Sequence, residues 1–168
     1  MTKKVLILVE KLFQDMEVLY PYYRLKEAGF EVKVAGTGEK TYKGKNGYPI
    51  KTDGHVKNFK PKDFDAVIIP GGWAPDYMRR NKEMVEFVKQ MNKKNKLIAA
   101  ICHAASLLIS ADVVKGRTMT CYFSVKDDVI NAGANYVDKE VIVNGNLITS
   151  RQPKDLPAFC REIIKALQ

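Results

Sequence analysis

Four short, nearly continuous apolar runs constrain this chain more than any other feature: VLILV at 5–9, VKVA at 32–35, AVII at 66–69 and LIAAI at 97–101. Runs of this kind read as buried strands, and the segments between them change period to that of a helix. Met84, Phe87, Val88 and Met91 fall at i, i+3, i+4 and i+7, as do Val18, Leu19, Tyr22 and Leu25 in the first helix, which Gly29 is placed to end. Apolar strands alternating with amphipathic helices predict a mostly parallel sheet covered on both faces. Two segments break the alternation. TYKGKNGYPIKTD at 41–53 reads as an inserted hairpin or extended loop. EVIVNGNLITS places Asn144-Gly145 between two β-rich runs and predicts a type I′ hairpin. A last helix from about Asp155 to Leu167 aligns Leu156, Phe159, Ile163 and Leu167 on one stripe. With no repeat and no linker composition, residues 1–168 read as a single domain.

Composition narrows the function classes. Of 168 residues, 28 are Lys or Arg and 19 are Asp or Glu, a net charge of +9. The basic residues are scattered, with NKKNK at 92–96 as the densest cluster, and no nucleic-acid-binding signature accompanies them. A solvated basic face is therefore expected, and no specific nucleic-acid partner. No window is long and apolar enough for a membrane span, and no secretory leader precedes VLILV. The expected setting is cytoplasmic, with the three cysteines reduced. His55 and His103 are the only histidines and neither has a second ligand at zinc spacing, so no metal or other cofactor is expected.

Ligands of open α/β sheets bind beyond the carboxyl ends of the strands. Three such places carry reactive residues. Asp15 and Glu17 follow the first run at the start of a helix, and Gly71-Gly72 follow AVII, where backbone N–H groups can approach a ligand. Cys102-His103 follow LIAAI and precede a helical AASLLIS. A residue between a buried strand and a helix sits on a tight elbow, and the dipole of that helix is expected to lower the pKa of a Cys102 thiol. His103 can serve as general base or acid, but adjacent side chains on an elbow usually diverge, so whether the two face each other stays open at this level.

At these residues the chain resembles the PfpI family of the ThiJ/PfpI superfamily. The matching stretches are FQDMEVLYPYYRLKEAGFEV, FDAVIIPGGWAPD, AAICHAASLLISA, KDDVINAGANYVD and VNGNLITSRQPKDLPAF, in this order and nearly end to end. The resemblance implies a flavodoxin-like (class I glutamine amidotransferase-like) sandwich. It makes Cys102 the nucleophile, His103 its partner and Glu17 the acid bonded to the thiol. Gly72 with the His103 backbone, beside Gly71, would supply oxyanion donors, while Tyr122 and Arg151 would belong to the pocket. Asp76 falls where members with peptidase character carry a Glu that orients the histidine of a neighbouring subunit. A homo-oligomer, dimer or hexamer, is implied as well, and Trp73, Tyr77 and Met78 on one loop suit an interface. Two departures stand out. Ala104-Ala105 replace a family Gly-Pro and are expected to narrow the room near the nucleophile, and Asp76 is one methylene shorter than Glu.

The family is credited with slow peptide hydrolysis and with glyoxalase or deglycase chemistry on small dicarbonyls and their early adducts. Thiolate addition to an aldehyde needs one proton shuttle, whereas amide hydrolysis needs a complete triad to protonate a leaving amine. The expected function is therefore cysteine-dependent conversion of a small dicarbonyl substrate, ahead of peptide hydrolysis. A non-catalytic redox sensor or chaperone that oxidises Cys102 is the rival from another class.

Overall fold

The structure is a computed structural model and describes residues 2–168. Its centre is a seven-stranded sheet in the order β10-β11-β7-β6-β1-β2-β5. All neighbours pair in parallel except the edge hairpin β10–β11. In chain order the elements are β1 (Lys4–Leu8), α1 (Asp15–Glu27), β2 (Glu31–Gly36), β3 (Thr41–Lys43), β4 (Pro49–Lys51), β5 (Gly54–His55), β6 (Ala66–Ile69), α2 (Ala74–Met78), α3 (Lys82–Lys93), β7 (Leu97–Ile101) and α4 (Ala105–Ser110). There follow β8 (Thr118–Met119), α5 (Lys126–Asn131), β9 (Asn135–Tyr136), β10 (Val141–Asn144), β11 (Leu147–Ser150) and α6 (Leu156–Leu167). Helices α1 and α6 pack together over β2 and β11, while α2, α3 and α4 form the layer that lies on β6 and β7. The predicted parallel sheet with helices on both faces is the observed fold.

The apolar runs become β1, β2, β6 and β7, and every residue of β6 and β7 is buried. Helix α3 buries Met84, Phe87, Val88 and Met91, the stripe its sequence spells. Helix α1 departs from its pattern. The residues it buries are Asp15, Glu17, Val18, Pro21 and Leu25, while Leu19 and Tyr22 are only half-buried. Pro21 inside the helix has no N–H to donate to the carbonyl four residues back, and it lies on the buried face. That rotation turns Glu17 toward the sheet. Gly29 ends the helix at φ +87°, with Gly29 N–H bonded to Lys26 O and Phe30 N–H to Leu25 O, a Schellman arrangement.

Segment 41–53 does form a hairpin, with Tyr42 opposite Ile50. The second hairpin is also present, but Asn144 pairs with Leu147, so Gly145 and Asn146 are its central residues. Only Gly145 has positive φ, at +59°, the pattern of a type II′ turn in place of the expected type I′. Strands β5, β8 and β9 have two residues each and leave no period to read.

In the sheet β7, β6 and β1 lie side by side. From β1 the chain proceeds to β2 on one side, and from β6 to β7 on the other. The strand order therefore reverses between β1 and β6, and the crevice above that point is where an open sheet binds its ligand.

Candidate active site

Cys102 stands one residue past the end of β7 with φ +63°, a left-handed conformation that a non-glycine residue keeps only where its surroundings enforce it. The enforcement is visible. Its carbonyl accepts from Tyr122 N–H at 3.1 Å, and a single 3-10 turn, Cys102–Ala104, leads into α4. The elbow expected from sequence is thus formed, with the sulfur held at the base of a cavity and the residue 7% exposed.

Glu17, completely buried, approaches from α1. Its Oε2 accepts from Gly71 N–H at 2.7 Å and its Oε1 has no partner besides the sulfur beside it. Gly71 is required here: a Cβ would lie 2.6 Å from both Cys102 Cβ and Glu17 Oε2. Its N–H is therefore spent on the carboxyl and is not a free oxyanion donor. The N–H groups of Gly72 and His103 face the sulfur instead. Gly72, at φ +75°, is pressed against the Leu12–Gln14 segment, where a Cβ would sit 2.4 Å from Gln14 N.

Burial dominates the electrostatics. It pushes Glu17 up to about 7, against smaller opposing effects of the Gly71 N–H, Cys102 and Lys45. Burial, followed by the charge of Glu17, pushes the Cys102 thiol up to about 12. The lowered thiol pKa expected from the elbow helix is not found, because α4 starts three residues later and is only six residues long. Two acids in one dry pocket cannot both ionise, so the pair keeps a proton between them near neutrality. When Glu17 carries it, the repulsion on the sulfur is gone.

The question left open by the sequence is decided by geometry: His103 Nδ1 lies 3.2 Å from Cys102 Sγ. Its Nε2 lies 3.1 Å from Ser124 Oγ, and its ring stacks on Tyr122 with centroids 4.8 Å apart and planes at 28°. Burial, then Lys45, lowers the imidazole pKa. The neutral tautomer with the proton on Nε2 satisfies both contacts, donating to Ser124 and accepting from the thiol. Ser124 was not singled out in the sequence, since a serine in a polar turn carries no pattern.

Asp76, expected to act on the histidine of a neighbouring subunit, is engaged locally in this chain. It sits exposed on α2 and pairs with Arg80 one turn on, away from the cavity. Arg151 is likewise withdrawn from the pocket: its guanidinium is bound to Asp155 at 2.9 and 3.0 Å and to Asp138 at 2.9 Å, and Gln152 and Pro153 take its place on the wall. Ala104 and Ala105 are buried in the core and do not line the cavity, so they do not narrow it. Met78 is also fully buried, which removes it from any surface. Tyr122 does line the cavity, whose volume is about 370 Å³. Gln14, Lys45 and Trp73 complete the rim.

Fold and site together define a class: an α/β domain with a cysteine elbow at the switch point and a buried carboxyl against the sulfur. The chain belongs to the DJ-1/PfpI family, which it matches over residues 3–166. It is similar to Deglycase PfpI of Pyrococcus furiosus, with 45% identity over 98% of this chain and 99% of that one. It is 41% identical, over the full length of both, to Bacillus subtilis YraA, named provisionally as a cysteine protease. Among solved structures, a two-domain Anabaena variabilis protein with DJ-1/ThiJ/PfpI-like and ferritin-like domains superposes with a TM-score of 0.97 at 45% identity. The match covers 99% of this chain and 48% of that one.

Proposed function

We propose that this chain is a hydrolase of the deglycase type that converts small dicarbonyls, and their early adducts, through the Cys102 thiol. The observation that carries the reading is the convergence of Sγ, Nδ1 of His103 and the protonatable Glu17 in one small cavity. The deglycase name of the Pyrococcus relative supports it.

The chemistry follows from the proton inventory. For methylglyoxal, sulfur attacks the aldehyde carbon while its proton passes to His103 Nδ1, and Glu17 protonates the carbonyl oxygen to give a hemithioacetal. Glu17, now ionised, removes the proton from that carbon. The electron pair forms a C=C bond and the ketone oxygen takes the proton from His103, giving an enediol. Glu17 returns its proton to the neighbouring carbon while His103 removes the remaining hydroxyl proton, which leaves a lactoyl thioester. Water adds to the thioester carbon with Glu17 accepting its proton, and the thiolate leaves and is reprotonated from His103. Lactate is released and every group regains its initial proton. The Gly72 and His103 N–H groups steady the charge on sulfur.

Peptide hydrolysis fits less well, because the third member beside the imidazole is a serine hydroxyl, which cannot stabilise an imidazolium as a carboxylate does. A redox-sensing role would use the same cavity-facing thiol, and turnover separates the two readings, since a sensor is modified by peroxide and forms no product from methylglyoxal. The reading includes a homo-oligomer, since Trp73 on the cavity wall is 66% exposed and Phe123, next in sequence to Tyr122 of that wall, is 75% exposed, and a cytoplasmic setting that keeps the thiol reduced. No helix among the described residues is long and apolar enough to cross a membrane.

The test is lactate formation from methylglyoxal beside hydrolysis of a fluorogenic peptide. The wild type is expected to produce lactate, to cleave the peptide far more slowly, and to lose lactate formation in Cys102→Ala. Wild-type lactate formation by Cys102→Ala overturns the proposal.

A further inference from the structure

Lys45 is the one basic side chain on the cavity wall, apart from the neutral imidazole. It lies on the turn of the β3–β4 hairpin, and that turn is fastened rather than free. Lys45 N–H donates to Phe13 O at 2.8 Å. The buried carboxylate of Asp15 accepts from the N–H of Asn46 and of Tyr48, each at 3.0 Å, and from the Asn46 side chain at 3.1 Å. The backbone that presents Lys45 is therefore ordered before any ligand arrives. Its ammonium makes no ion pair among the described residues, whereas Arg80 and Arg151 both do. It is close enough to the site to act on both Glu17 and His103.

An unpaired cation, carried by an ordered turn to the wall of a small cavity, attracts an anion. Methylglyoxal is neutral and gives this cation no charge to pair with, and a three-carbon molecule leaves most of 370 Å³ unfilled. An adduct between a dicarbonyl and a small carrier bearing a free carboxylate satisfies both the volume and the charge.

We propose that Lys45 makes the cavity selective for carboxylate-bearing substrates, such as dicarbonyl adducts of free amino acids, by pairing with the carboxylate while the carbonyl carbon meets Cys102. This deepens the deglycase reading and rests on it for turnover, but the anion preference itself can be measured without turnover.

Two reagents of equal size and opposite character, iodoacetate and iodoacetamide, alkylate Cys102, and the rates are read by mass spectrometry of the Cys102 peptide. The ratio of the acetate to the amide rate is expected to exceed that of glutathione. It should fall about fivefold in Lys45→Met, the size of one partly exposed ion pair, and persist in Lys45→Arg. In parallel, kcat/KM is measured for the methylglyoxal hemithioacetals of N-acetylcysteine and of its amide. The carboxylate is expected to be preferred by the wild type and the preference lost in Lys45→Met. An alkylation ratio that is the same in Lys45→Met as in the wild type overturns the proposal. A ratio that depends on Lys45 with neither adduct turned over upholds the anion site and overturns the enzymatic reading instead.

Discussion

Single side chains in this site do work that their residue type does not announce. Glu17 reads as a helix-start carboxylate, yet it is completely buried and its pKa rises from 4.5 to about 7. The unfolded chain ionises this group from about pH 4.5, whereas the folded protein holds the proton until about 7. The stabilisation is therefore complete below 4.5 and is lost as the pH rises through 7, by about 3 kcal/mol. Chemical denaturation from pH 4 to 8 should show this decline, and Glu17→Gln should flatten it; an equal slope in both proteins would remove Glu17 as its source. Ser124 is a positioning residue for the imidazole. Ser124→Ala removes the Nε2 acceptor, a hydrogen bond of about 1 kcal/mol, so kcat/KM for methylglyoxal should fall about fivefold. Ser124→Thr should restore both the rate and a melting temperature that Ser124→Ala lowers by only about 2 to 4 °C. The elbow helix by itself predicts a lowered pKa for Cys102 among the three thiols. Burial pushes all three up to about 12, and what separates Cys102 is that it alone lines the cavity.

At the scale of elements, the β3–β4 hairpin is the least expected contributor, because its apolar alternation spans only Tyr42 and Ile50. It reaches the site through polar bonds, with Asp15 at the start of α1 acting as the peg. Gly44 belongs to the same joint: a Cβ there would meet the Asp15 carboxylate at 2.3 Å. Asp15→Ala leaves two backbone N–H groups without their acceptor and should cost about 2 to 4 kcal/mol. Hydrogen exchange would then show Asn46 and Tyr48 amides losing protection while β6 and β7 keep theirs. Unchanged exchange at those two amides would mean that the peg is not what orders the turn. The α1 stripe shows the complementary lesson. Val18, Leu19, Tyr22 and Leu25 obey the helical period, but so does Val18, Pro21 and Leu25, and periodicity does not choose between neighbouring stripes. Packing against β2 and α6 chooses, and it is this choice that aims Glu17 inward.

For the whole molecule, the open question is assembly. Trp73 on the cavity wall and the exposed Phe123 next to Tyr122 leave aromatic surface that a second copy would cover, and light scattering at micromolar concentration should give a mass above the 19.0 kDa of one chain. A monomer mass throughout would overturn the homo-oligomer. The sequence by itself determined the sheet, its covering helices, both hairpins and the three strand ends where Glu17, Gly71-Gly72 and Cys102-His103 stand, because burial period and turn chemistry are local properties. Family resemblance added the nucleophile's role. Only the tertiary structure decided that His103 turns to the sulfur, that Ser124 and Tyr122 hold it, that Asp76 pairs with Arg80, that Arg151 leaves the pocket and that Lys45 enters it. Most of those outcomes depend on which partner lies within reach across a stretch of chain, 21 residues from His103 to Ser124 and 13 from Asp138 to Arg151, or on which way a helix face turns, and no local pattern encodes such a distance. The thiol's electrostatics were decided the same way, since desolvation is set by everything packed around the sulfur and outweighs the dipole of one short helix.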